Sequence, residues 1–221
     1  QLSNLGSDDL NALSSSQFSA LSSTQVASLT SDQIGTLQSD DVRAISSAGL
    51  RAWSTDQLAA LSETNMGALT TAQVASLTTA QVSSLVTDDL NALGTAQFAA
   101  LTTAQVTSLT GAQVGGLVSD DLRAMTTAQF GAMSSVQIGG LTADQIPNLE
   151  SADLRAINTA ALRTMTSAQL DALTGTQMAQ LTTGQVAAQI VFKSRHRGVA
   201  LGGVVLERLA QDVVQIAVQL A

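Results

Sequence analysis

From residue 6 onward the apolar positions recur in a fixed frame of eight: GSDDLNAL, SSSQFSAL, SSTQVASL, TSDQIGTL and on to TTGQVAAQ, which ends at Gln189. Twenty-three such octads follow one another without an insertion or deletion, so each unit is expected to occupy an equivalent place. Position 5 is always apolar (Val26, Ile34, Leu58, Phe98, Ile146), and position 8 is Leu, Ile, Met or Trp in every octad but the last. A spacing of three between buried positions belongs to a helix, because a strand alternates by two. Position 7 is nearly always Ala, Ser, Gly or Thr, which predicts close approach to a neighbour. Position 6 accepts Arg43, Asn91, Gly115 and Asp171 and reads as solvent-facing.

Positions 1 and 4 add a start signal. Fifteen octads have Ser or Thr first with an amide side chain fourth. That is the capping box, in which the hydroxyl accepts from the amide three residues on and the fourth side chain reaches back to the cap's own amide. Helices of fewer than two turns do not persist alone in water. They must be held by neighbours, so the pattern predicts an all-α solenoid of very short capped helices stacked along one axis. A β-solenoid with octad coils is the alternative, since Gly35, Gly67, Asn91 and Gly131 at position 6 suit turns. Pro147, also at position 6, is awkward deep in a helix but tolerable in a single-turn one.

A slower rhythm overlies the octad. Paired acids stand at Asp8-Asp9, Asp40-Asp41, Asp88-Asp89 and Asp120-Asp121, echoed by Asp153, at intervals that are all multiples of 16. The construction unit is therefore expected to be a pair of octads. The repeat region spans 1–189, and its first five residues match the end of an octad, so a fragment or processed form of a longer array is expected. The segment 190–221 is a separate region: a basic cluster at Lys193, Arg195, His196 and Arg197, then Leu206, Leu209, Val213, Ile216 and Leu220 at helical spacing. That amphipathic helix reads as a cap on the solenoid or a docking helix for a neighbour.

Composition narrows function more than it names it. Charged residues are 12%, Cys and Tyr are absent, and Trp53, Lys193 and His196 are each the sole residue of their type. A net charge of -8 argues against a nucleic-acid partner, and no apolar run reaches membrane-spanning length. Catalysis is not expected, because the Ser and Thr hydroxyls recur evenly where an active site is singular. No cofactor is expected. The recurring acids Asp8, Asp9, Asp40, Asp41, Asp88, Asp89, Asp120 and Asp121 are weak candidates for a hard cation such as Ca²⁺. The simpler reading makes them complements of the helix dipole, with Arg43, Arg123 and Arg155 as ion-pair partners.

The phrase LTTAQVASL at Leu69 to Leu77, with its variants from Leu5 to Gln189, resembles octad arrays of very large bacterial secreted or surface proteins, adhesin-like or haem-utilisation-like. The resemblance implies an extracellular repetitive scaffold. It does not carry haem ligation with it, since no His, Cys or Tyr lies in the octads. LTxxQV is also similar to the first helix of DNA-reading plant-pathogen effector repeats, whose long unit and basic surface are missing here. The expected function is a structural rod, spacer or filament-forming module at the cell surface, with a second copy joined head to tail as a candidate partner. An adhesin segment binding a glycan or protein is the alternative.

Overall fold

The computed structural model describes residues 2–188, and the helix expected in 190–221 lies outside them. Among the described residues every regular element is helical and no strand forms, which disposes of the β-solenoid. Twenty-one α-helices run from Ser7–Asn11 to Gly175–Gln180, followed by a turn of helix at 183–188. A mid-array octad shows the local logic. Thr70 is extended (φ -72, ψ 156) and caps Thr71–Ser76, after which Leu77 returns to extended backbone (φ -55, ψ 146). Helix therefore occupies positions 2 to 7, and the two extended residues at positions 8 and 1 make the corner. Before the corner, the Leu77 amide closes the helix by donating to the Val74 carbonyl (3.2 Å).

The octad containing Pro147 departs from the rest. It forms a 3-10 turn, Ile146–Asn148, in place of an α-helix. Proline has no N–H to give to a carbonyl four residues back, so the α-helical ladder cannot run through it.

The chain divides between Met125 and Thr126 into two compact units. Within the first, Ser15–Ser19 packs on Ser39–Ala44, Ser39–Ala44 on Glu63–Ala68, and Glu63–Ala68 on Thr87–Ala92. The other two lines of helices do the same, as where Ser47–Arg51 meets Thr71–Ser76. Within the second unit, Thr127–Ala132 packs on Ser151–Ala156, and Ser151–Ala156 on Gly175–Gln180. Every strong packing pair is three octads apart, so one turn of each solenoid takes 24 residues. The expected pairing of octads is thus replaced by a period of three. An acid-pair interval of 32 residues is one turn plus one octad and moves the pair to another side of the coil, whereas the 48 residues from Asp40-Asp41 to Asp88-Asp89 are two turns and keep both pairs on one side.

Positions 5 and 8 form the core, with Val26, Val74, Phe98 and Leu122 fully buried and Leu77 and Leu109 nearly so. Each such side chain contributes about 1.5–3 kcal/mol on burial, which is what holds helices too short to stand alone. The small residue at position 7 is required where expected: a Cβ added to Gly116 would meet the Thr87 side chain at 2.6 Å, one turn back. Position 6 is less solvent-facing than its tolerance implied. A Cβ at Gly67 would lie 2.7 Å from the Ala92 carbonyl oxygen, one turn forward.

These contacts rank the glycines. Gly67→Ala is expected to destabilise the first unit by about 1–3 kcal/mol, because a backbone carbonyl cannot step aside. Gly175→Ala, with nothing within 4 Å of the new methyl, is expected to be neutral or stabilising by up to about 1 kcal/mol. Urea unfolding followed by Trp53 fluorescence for the first variant, and by far-ultraviolet circular dichroism for the second, checks the ranking.

Candidate functional site

The recurring polar constellation of this protein is the buried side chain at position 4. Its local half is the expected capping box. In the octad that opens at Thr70, the Gln73 amide donates to Thr70 Oγ1 (3.2 Å) and the Thr70 amide donates to Gln73 Oε1 (2.7 Å). The same pair of bonds recurs at Ser14, Thr30, Thr102, Thr142, Thr174 and Thr182.

The second half is non-local. Gln105 Nε2 donates to the carbonyls of Val74 (2.8 Å) and Leu77 (2.8 Å), which end a helix about one turn upstream. Gln81 reaches Leu50 and Trp53, Gln33 reaches Leu2 and Leu5, and in the second unit Gln177 reaches Ile146 and Leu149. The acceptor 28 residues back is constant, and a second lies 30 or 31 back. One amide therefore satisfies an N–H at the start of its own helix and the carbonyls left over at the end of another. Gln17 and Gln25, which make the capping bonds alone, are exposed, whereas Gln33 and Gln105 are buried.

Other side chains complete the accounting of helix ends. Gln57 takes the Ala27 and Leu29 carbonyls, and the buried indole of Trp53 donates to the Val26 carbonyl (3.0 Å). Ser76, Ser84 and Ser108 at position 7 donate their hydroxyls to the position-4 carbonyl of the same helix (2.7–2.8 Å). At position 6, Asn11, Arg43 and Asn91 reach forward to the carbonyls of Thr36, Ala68 and Gly116, so these residues bridge turns where sequence reasoning gave them to water.

The acid pairs are split by the same geometry. The first member is exposed: Asp40 meets Arg43 at 3.3 Å and Asp120 meets Arg123 at 4.0 Å, in pairs exposed enough to contribute little. The second member takes the position-4 place, and Asp41, Asp89, Asp121 and Asp153 are buried. Asp41 Oδ1 accepts from the Ser15 hydroxyl (3.4 Å), and Asp153 Oδ1 from the Thr127 hydroxyl (3.1 Å). Burial pushes the Asp41, Asp89 and Asp153 carboxyls up, opposed by the hydrogen bonds from Ser15, the Val86 backbone and Thr127 in turn and aided to a lesser extent by neighbouring acids. Asp121 is pushed up to about 6, first by burial and then by Asp120. Asp8 and Asp9, the other two candidates at the first pair, lie exposed in the first turn of Ser7–Asn11, and Asp88 is exposed as well. No three His, Cys, Asp or Glu side chains converge as a metal site among the described residues.

The clamp was missed in the sequence, although one signal for it was there. A capping box accepts Glu as readily as Gln, yet position 4 holds Gln in fifteen octads and Glu in none. Only the amide has a donor to spare for a second partner. Gln105→Ala strands the Thr102 amide and the Leu77 carbonyl, takes a second donor from the Val74 carbonyl, and is expected to cost about 2–4 kcal/mol. Gln17→Ala loses only a capping bond and is expected to cost no more than about 1 kcal/mol. Urea midpoints of the two variants, read by Trp53 fluorescence, test the difference.

The family model described as the ALTTAQ repeat matches residues 2–39, 34–71, 83–119, 114–149 and 146–183. No curated protein matches the chain.

Proposed function

We propose that this chain, which belongs to the ALTTAQ repeat family, is a non-enzymatic structural module, a rod, spacer or filament-forming scaffold of a bacterial cell-surface or secreted protein. The observation that carries the reading is the uniformity of the clamp. The same amide joins the same two kinds of helix end at Gln33, Gln57, Gln73, Gln81, Gln97, Gln105 and Gln113 of the first unit and at Gln169, Gln177 and Gln185 of the second. Side chains are devoted to joining turns, and most of what varies at the surface from octad to octad is small and uncharged, with scattered charges such as Arg51, Asp144 and Asp171. Sparse surface charge supports close side-by-side packing of such arrays. The similarity of LTTAQVASL to octad arrays of large bacterial surface proteins supports the location.

Octads are interchangeable parts in this reading, while half-octads are not. Deleting 70–93, three whole octads, is expected to leave a folded, helical protein shortened by one helix spacing, about 8–10 Å. Deleting the four residues 78–81 is expected to unfold the first unit, because Gln97 and Gln105 are put out of register with the carbonyls of Leu69 and Leu77 and the octad frame breaks in the middle of the array. Circular dichroism reports folding, and small-angle scattering with negative-stain microscopy reports length. A compact particle whose dimensions ignore the 24-residue deletion, or one that engages a glycan on an array, would overturn the scaffold in favour of a binding module.

A further inference from the structure

Position 4 carries an amide in most octads of the first unit but a buried aspartate at 41, 89 and 121. Asn65 shows what a short side chain does at that place. Its Oδ1 accepts from the Ser39 hydroxyl (2.7 Å), 26 residues back, and its Nδ2 donates to the Leu37 carbonyl (2.7 Å), 28 residues back. Aspartate has the same heavy-atom frame. Asp41 reproduces the first bond with Ser15, again 26 residues back. The second bond is closed to an ionised carboxylate, which has no donor. The corresponding carbonyls belong to Leu13, Leu61 and Leu93. Consistent with a missing donor, Asp121 Oδ2 is buried and has no hydrogen-bond partner among the described residues.

We propose that Asp41, Asp89 and Asp121 are proton-operated clamps: each takes one proton from solvent, and its new O–H donates to the carbonyl of Leu13, Leu61 or Leu93 as Asn65 Nδ2 donates to Leu37. The electrostatic surroundings favour proton uptake. Asp41 has Asp40 and Arg43 on its own helix, no charge on Ser15–Ser19, and Glu63 on Glu63–Ala68. Asp89 has Asp88 beside it, Glu63 at the position where Ser or Thr stands in most other octads, and no charge on Gly111–Gly116. Asp121 has Asp120 and Arg123 on its own helix and no charge on Thr95–Ala100. All three carboxyls are raised, Asp121 to about 6. A group raised by folding contributes stability that is full below its unfolded value and is lost as pH rises through its folded value. The aspartate seams are thus tight in mild acid and slack at neutral pH, while the Gln seams do not respond.

The test compares urea midpoints at about pH 7.5 and about pH 5, read by Trp53 fluorescence, for the natural chain, for Asp41→Asn/Asp89→Asn/Asp121→Asn, and for the matching triple Ala variant. Ala161 already occupies position 4 in another octad, so Ala is compatible with the fold. The natural midpoint is expected to rise on acidification. The Asn triple is expected to sit higher at neutral pH and to rise no further, with the Ala triple also flat but below it. Asn65→Asp supplies the converse, a loss at neutral pH regained in acid. A natural midpoint that stays level or falls would overturn the proposal, and so would an Ala triple equal to the Asn triple, since loss of charge alone would then explain the gain.

Discussion

The constraint on which this structure rests is the satisfaction of helix ends. A helix leaves its first four N–H groups and last four carbonyls without internal partners, so a six-residue helix such as Thr71–Ser76 is almost entirely ends. Apolar burial at positions 5 and 8 supplies the adhesion, yet it cannot by itself leave buried polar backbone unpaired. The position-4 glutamine resolves both ends with one side chain. Its oxygen accepts at the start of one helix and its nitrogen donates at the finish of another. The octad length follows from this arrangement: six helical residues, two extended corner residues, and a glutamine placed where it reaches both partners.

Much of this was legible from residues alone. The apolar pair, the capping boxes and the tight position 7 are local rules, repeated often enough to be read against the noise of any one octad. The turn of 24 residues was not legible, because octads on the three sides of a turn obey the same rules and leave no mark at that period. The acid pairs gave the one longer rhythm, and their spacings of four and six octads invited a reading in twos, whereas four octads measure a turn and a further side and six measure two turns. Position 6 misled for a related reason. Gly67 and Arg43 are chemically unlike, yet each answers to the equivalent carbonyl 25 residues ahead, Ala92 and Ala68, one by leaving room and the other by donating to it.

The aspartate octads show how far the clamp tolerates variation. Gln38, Val86, Val118 and Glu150 stand at their caps in place of Ser or Thr, with no side-chain cap bond. Their fourth residue is a carboxylate without the amide's donor. Cap and clamp are thus altered together, and the bridge shifts to Arg43 or Asn91 at position 6, which ties the octad forward where Gln would tie it back. Connection between turns is kept, by a different route.

The clamp also has a direction. Its donor always lies downstream of its acceptors, by 28 to 31 residues. A chain emerging from a ribosome with its amino end leading therefore meets a finished template at every step, since the carbonyls that each glutamine needs are already folded when it arrives. The separation between partners stays fixed however long the array grows, so contact order relative to length falls as octads are added. Growth in size then brings no matching delay in folding, which is the property a very long protein assembled in passage would require.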